Sequence, residues 1–482
     1  MKKQFLLVFA LFVAVLFSAC KDNGTDPVVE PPVSSDVVEV SGEIKANTTW
    51  SANKIYMLKG FVYVSNGATL TIEPGTIIKG EKSSKGTLII TRGSKINATG
   101  TVDKPIVFTS AQTAGGRSQG DWGGLIILGK APVNQGNDVK IEGGLTAPTG
   151  VTDDKPYIYY GGTDAADNSG VIKYVRIEFA GIAFSPDNEI NGLTLGGVGT
   201  GTTIDYVEVY RSGDDSFEWF GGTVNAKHLL SIASFDDDFD TDFGYSGKVQ
   251  FALAQRVASV ADASGSNGFE SDNDGTGSNL APQTSAIFSN VTILGPIYKS
   301  SGITVNANFQ NAAQIRRNSA LSIFNSVFTG YVDGVYIDDS KVVTAKSTSA
   351  NYLASRLAFA NNLVLGTKTS EVKGENKADF ETVLRAANTF NTGIYADSLF
   401  SAPSKYSLDF KAKGDANQGT PSFILKSATN IAATGALFTD AKLTSGFEAV
   451  AYKGAFGSTD WSASWAHYDP QTLAYTTPGA VK

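Results

Sequence analysis

The chain has 482 residues, of which 18% are charged and 51 are glycine, and a formal net charge of −8. Few charges and many glycines exclude a disordered acidic segment and a coiled coil. The acidic balance excludes sequence-independent nucleic-acid binding, so no nucleic acid is expected as a partner.

Lys2 and Lys3 precede an apolar run from Phe5 to Phe17, and Ser18-Ala19-Cys20 follows, the layout of a secretory signal with small residues before its cut site. The run is too short to span a bilayer. Cys20 is the chain's one cysteine, so it serves a single covalent purpose rather than an internal disulfide. Leu16-Phe17-Ser18-Ala19-Cys20 resembles the lipobox of bacterial lipoproteins, although Phe17 stands where Leu is commoner. That resemblance implies a diacylated Cys20 as the mature N-terminus, and several acyl chains suffice for stable membrane anchoring. Loss of Lys2 and Lys3 takes the net charge from −8 to about −10. The Pro-rich stretch to about Ser35 cannot bury a core and reads as a tether. Lys21-Asp22 resembles the acidic export signal of Bacteroidetes lipoproteins, which implies the outer membrane with the domain facing the cell exterior. The expected organisation is a signal peptide over 1–19, a lipidated tether over 20–40 and one domain over 41–482.

From Val38 to Phe108, short β-branched runs alternate with Gly, Asn and Pro turns, as in Phe61-Val62-Tyr63-Val64, Leu70-Thr71-Ile72 and Ile106-Val107-Phe108. The phrase from Gly67 to Thr76 is echoed loosely by Gly93 to Gly100, as two coils of a solenoid would be. Strand-like pieces then recur at uneven intervals around Val175, Val207, Leu230, Phe251, Val291, Val327 and Leu363. Unequal spacing suits stacked coils joined by loops of variable length. Alternation sends Val175, Val207, Val291 and Val327 to one face, and Asn290 and Asn325 fit a side-chain ladder at a turn. Regular hairpin turns, which a β-sandwich needs, are scarce. A helix is expected over 378–389, where Phe380, Val383, Leu384 and Ala387 repeat at helical spacing, covering a flank or end of the solenoid. The aromatic tail from Tyr452 to Pro470 is expected to complete a C-terminal cap over about 370–482. The fold class is all-β: a single right-handed parallel β-helix with a short helix and that cap.

Ile72-Glu73-Pro74-Gly75-Thr76, Pro105-Ile106-Val107-Phe108-Thr109-Ser110, Gly120-Asp121-Trp122-Gly123-Gly124, Asp214-Asp215-Ser216-Phe217-Glu218-Trp219-Phe220-Gly221-Gly222 and Asp469-Pro470 resemble a set of Bacteroidetes β-helical surface lipoproteins and secreted proteins. The resemblance covers nearly all of 45–475. It implies the right-handed parallel β-helix and an extracellular location, and no particular chemistry.

The densest chemistry is acidic: Asp214, Asp215 and Glu218 in one coil, Asp236, Asp237, Asp238, Asp240 and Asp242 in the next, and Glu270, Asp272 and Asp274 in a third. Like charges this close repel unless a cation or bases neutralise them. Coils stacked about 5 Å apart would bring these carboxylates together along one edge. Calcium, which takes six to eight oxygens in flexible geometry, is the expected ion. A solvated rim paired with Arg211, Lys227 or Arg256 is the bland alternative. Trp219, Phe239 and Tyr245, with Arg211, are the candidate ligand contacts, since rings beside carboxylates suit carbohydrate; packing in the core is the competing role for each ring. His228 and His467 lack a catalytic partner at a telling spacing, and the glycines of 192–201 read as turns rather than a phosphate loop.

Three functions remain open from these residues. One is a non-enzymatic glycan- or ligand-binding surface protein, working beside an outer-membrane transporter. The second is a polysaccharide lyase or glycoside hydrolase using the acidic face, with Arg211, Lys227, Arg256, Arg316 and Arg317 as candidate bases. The third is a structural or adhesive protein. An Arg or Lys beside the carboxylates would favour the enzyme, and a flat, ring-studded face would favour binding.

Overall fold

Short β-branched runs separated by turn residues stack into three parallel ladders in the computed structural model, which describes residues 36–482 except 186–187, 344–346 and 404–419. Cys20 and the signal segment lie outside the described residues. The first ladder starts at Thr48–Trp50, Thr69–Ile72 and Lys95–Thr99 and continues through the N-terminal halves of Gly170–Glu178, Thr203–Tyr210, Asn225–Ile232, Lys248–Gln255 and Ile287–Leu294. It ends at Ser322–Phe324 and Phe359–Ala360. The long strands then turn a corner, and their C-terminal halves build the second ladder, which closes at Val327–Thr329, Leu363–Leu365 and Thr389–Asn391. The third ladder includes Gly124–Leu128, Leu193–Gly196, Phe217–Phe220, Phe239–Asp242, Phe269–Ser271, Asn311–Ile315, Asp333–Ile337 and Ser370–Lys373. Every rung is parallel, and the result is the expected right-handed parallel β-helix.

Period-2 alternation fills the interior with aligned rows. On the first ladder Ile72, Ala98, Ile172, Ile204, Ala226, Val249, Phe288, Ile323 and Phe359 share one register and are all buried. Each Val, Ile or Phe of this row contributes about 1.5–3 kcal/mol by leaving water. Val175, Val207 and Val291 share an interior row of the second ladder, as expected. Val327 does not: it pairs with Thr292, one position on, and faces outward beneath the C-terminal tail. The register is set at the corner, where Asn290 and Asn325 align and leave Ser326 opposite Val291.

That corner carries the expected ladder and extends it. Tyr174, Tyr206, His228, Phe251, Asn290, Asn325 and Asn361 all adopt left-handed backbone, with φ of +50 to +60°, a conformation that costs a non-glycine residue about 1–3 kcal/mol. Stacking offsets the cost in the aromatic half: Tyr174–Tyr206, Tyr206–His228 and His228–Phe251 centroids lie 4.4, 4.1 and 5.2 Å apart. In the amide half, Asn361 Nδ2 donates to Asn325 Oδ1 at 2.7 Å, and Asn290, Asn325 and Asn361 donate to Tyr452, Leu437 and Gly435 carbonyls.

Those last bonds show where the tail goes. Instead of closing the end of the solenoid, the aromatic tail runs back along its flank. Trp461 and Trp465 pack edge-on against Tyr206. Further on, Gln471 bonds Arg117 and Tyr475 bonds Arg176, and Lys482 reaches Asp103 near the first coils. The reason is burial: outward residues Leu230, Ile232, Leu253, Leu294, Val327, Leu363 and Leu365 form an apolar strip that Phe423, Phe456, Trp465 and Tyr468 cover. The end itself is covered by the helix Lys377–Ala387, which buries Phe380 and Leu384. At the other end, Val37–Ile44 already pairs with Ile55–Val64, so the solenoid begins four residues before the expected boundary at 41. No helix among the described residues is long and apolar enough to cross a membrane.

Candidate functional site: a carboxylate cluster on the third ladder

The first two acidic segments begin where the second ladder turns into the third, and the third segment, from Glu270, lies on and just after a third-ladder strand. Gly213 keeps one of these corners narrow, since a Cβ there would stand 2.5 Å from the Gly181 carbonyl oxygen. Strand pairing then aligns two rows on the outer face. One contains Asn191, Asp215, Asp237, Asn267 and Asn311, and the other Thr194, Glu218, Asp240, Glu270 and Gln314. Amides flank the first acidic row, and a hydroxyl and an amide flank the second, so carboxylates of three successive coils are concentrated between neutral polar side chains.

Three overlapping groups have their ligand oxygens within 4.8 Å of one another and could hold a metal ion: Asp214, Asp215 and Asp236; Asp215, Glu218 and Asp240; Asp237, Asp240 and Glu270. Two oxygens on one calcium ion, each at 2.3–2.6 Å, lie at most about 5.2 Å apart, so these separations suit the ion. Asp215 Oδ1 accepts from the Asp237 amide at 2.7 Å and Asp237 Oδ1 from the Asn267 amide at 2.5 Å. Burial first, and then the neighbouring carboxylates, push the acids of Asp214, Asp215, Glu218, Asp237, Asp240 and Glu270 well above the ordinary range. Burial raises Asp236 to about 6, against a lowering hydrogen bond from Ser264. Asp236 Oδ1 and Asp240 Oδ1 are buried without a hydrogen-bond partner, as is Oδ1 of the fully buried Asn191, whose amide nitrogen donates to Glu218. Buried acceptors normally have partners, and orphaned ones facing like charges fit a bound cation.

The structure separates the remaining expected metal ligands from this cluster. Asp238 points into the solenoid, where it accepts from Ser231 Oγ at 2.5 Å and pairs with Arg256 Nη1 at 3.3 Å. It aligns with the inward Ser216, one position on from the outward Asp215, at the corner where the chain enters the strand, so that Asp238 and the following Phe239 both face inward. Asp274 Oδ1 accepts from the Thr276 amide and hydroxyl and so closes a local turn; despite partial burial, those bonds and the ones from Ser278 hold its acid below the ordinary value. Asp272 is matched by Arg316 Nε at 2.8 Å and Arg317 Nη1 at 2.6 Å. Asp242 lies two residues along its strand from Asp240, opposite Phe220, its carboxylate accepting from the Phe243 amide, and belongs to none of the three groups.

The expected ligand contacts are corrected too. Trp219, Phe239 and Tyr245 are fully buried in the main core, where Trp219 stacks on Tyr245 at 5.3 Å and Phe239 on Phe217 at 5.8 Å. Arg211 is 2% exposed and bonds Tyr210. Of the rings near the acids, Phe235 and Phe243 keep a partly exposed edge. Arg256 lies in the core and Lys227 pairs with Glu448, which leaves Arg316, bonded to Glu270 as well as Asp272, as the basic group at the cluster.

Two participants escape a reading of local sequence. Glu142 arrives from the insertion at 129–168 and shares a hydrogen bond with Glu218; the insertion is seated by Ile141, Leu145, Ile158 and Tyr160 packing on Ile126 and Phe220. Nothing near Glu142 in sequence announces this. Asn191 had a usable signal: Asn191-Gly192-Leu193, Asp215-Ser216-Phe217, Asp237-Asp238-Phe239 and Asn267-Gly268-Phe269 repeat one Asx-small-or-acid-apolar phrase at the entry to the third ladder.

The model of the pectate-lyase-like β-helix domain family matches residues 42–399, well over half of the chain, and the chain belongs to that family. Among solved structures, the Dettilon tailspike protein is similar over 71% of this chain and 63% of its own length, at 10% identity and a TM-score of 0.24. No curated protein matches the chain.

Proposed function

We propose that this protein is a lipid-anchored surface β-helix that captures extracellular glycan through calcium held on the third ladder. The observation that carries the reading is a chain of three overlapping carboxylate groups, each drawn from two successive coils and with its oxygens within 4.8 Å of one another, with orphaned buried oxygens among them. A glycan hydroxyl or carboxylate completes the coordination of a calcium ion that protein oxygens leave open. Membership of the pectate-lyase-like family supports a polysaccharide as the ligand class. The lipobox at Cys20 and Asp22 in the tether support an outer-membrane location facing outward, where capture beside a transporter would be useful. Calcium-dependent retention on a glycan array, lost in an Asp215→Asn, Asp240→Asn variant that melts normally, tests the binding. Protease accessibility on intact cells and labelling of Cys20 with a fatty-acid analogue test the location.

Asp236 favours a second reading, a polysaccharide-cleaving enzyme. A half-buried carboxyl with its pKa near 6 is suited to general-acid work near neutral pH. Arg316 serves that reading less well, because Glu270 and Asp272 hold it protonated, and a proton acceptor must first be free of its proton. Calcium separates the two: bound ion keeps Asp236 ionised and supports capture, whereas an acid catalyst needs the ion absent. Chain cleavage that survives chelation and is lost in Asp236→Asn would replace the first reading with the second.

A further inference from the structure

We infer that the cluster takes two divalent cations, one on Asp214, Asp215 and Asp236 and the other on Asp237, Asp240 and Glu270, joined through the intervening Asp215, Glu218 and Asp240 group. This rests on the reading of the third ladder as a cation site, and it adds the number of ions and the assignment of ligands. The two outer groups share no residue, while the middle group shares Asp215 with one and Asp240 with the other. No group holds both Asp215 and Glu270, which stand two rungs apart along the axis, so their oxygens do not converge as the ligands of one calcium ion, at most about 5.2 Å apart, must.

Charge points the same way. The seven carboxylates of the three groups, with Glu142 beside Glu218, face Arg316, which leaves seven negative charges when all are ionised. One divalent ion offsets two of these and two ions offset four. Each outer group also has its own buried oxygen without a hydrogen-bond partner, Asp236 Oδ1 in one and Asp240 Oδ1 in the other. Asn191 Oδ1, fully buried and orphaned, stands beside Glu218 of the linking group and offers a neutral acceptor there. The solenoid repeat is the physical origin: stacking puts the same outward position of consecutive coils one strand spacing apart, so a carboxylate between two ions can bridge them, as carboxylates do in two-metal sites.

Calcium titrated calorimetrically into the full chain, stripped with chelator and held in detergent, tests the inference. The expected stoichiometry is two ions per chain. Asp214→Asn with Asp236→Asn removes one ion and leaves the second; Asp237→Asn with Glu270→Gln removes the other. Thermal melting of each variant without calcium separates a lost site from a lost fold, and terbium luminescence gives an independent count. A wild-type stoichiometry of one, abolished by Glu218→Gln alone, would overturn the inference and leave the cation site standing. No bound calcium or terbium in folded protein would overturn both.

Discussion

The outer faces of the second and third ladders both bury carboxylates, and they resolve the charge in opposite ways. On the second, the tail supplies partners: Tyr475 donates to Glu178 at 2.8 Å, the His467 amide to Glu208 at 2.9 Å, and Arg176 lies 3.4 Å from Glu178 and donates to Tyr475 and the Val481 carbonyl. On the third, carboxylate faces carboxylate, and Arg316 sits at one edge. Buried charge is tolerated where the same chain provides the counter-charge, and where it does not, an external cation or protons must.

The strongest way to break this comparison is to remove the counter-charge from the second face. Arg176→Met leaves Glu178 and Glu208 buried without their cation and should cost about 3–5 kcal/mol, read as a lower urea midpoint. Asp215→Asn on the third face should act in the opposite sense. At an effective dielectric constant near 20, a like-charge pair at 4.8 Å repels by roughly 3 kcal/mol, so the cation-free variant should gain about 1–3 kcal/mol at pH 8 while binding calcium more weakly.

Titration sharpens the contrast. Burial raises the Glu208 acid to about 8 and Asp236 to about 6, both above their unfolded values. Below the unfolded values that stabilisation is fully present. Between about pH 4 and 8 the folded state binds more protons, so stability falls as pH rises, by at most about 1.4 kcal/mol per pH unit for each group. Without calcium, the melting midpoint should therefore drop from pH 5 to pH 8. With saturating calcium the part contributed by the third face should disappear and the Glu208 part should remain; an identical drop in both conditions would sink the distinction between the faces. The smallest effect is expected at the amide corner, where Asn361→Gly keeps the left-handed backbone and loses the bonds to Asn325 and Gly435, costing roughly 1 kcal/mol.

Much of the fold was legible because it is local. Val175, Val207 and Val291 alternate within their own strands, and Asn290 and Asn325 mark a turn by residue type. The failures share a cause. Val327 changes face through one position of register, Asp238 turns inward at a corner where alternation is interrupted, and Trp219, Phe239 and Tyr245 stand close to the acids in sequence but point into the core. The tail was assigned to the end of the solenoid because nothing in its own residues shows which surface needs covering.

Sequence by itself settled that short β-branched runs with turn residues would coil in parallel and that acidic segments would recur at successive corners, since backbone preference and charge spacing act over a few residues. Only the tertiary structure decided that Asp215, Glu218, Asp240 and Glu270 share an outer face, that Asn191 and Glu142 join them, and that the tail supplies hydrogen-bond partners to the neighbouring face. Those outcomes depend on strand register and on contacts between residues far apart in the chain, where one position decides whether a side chain meets its partners or the core.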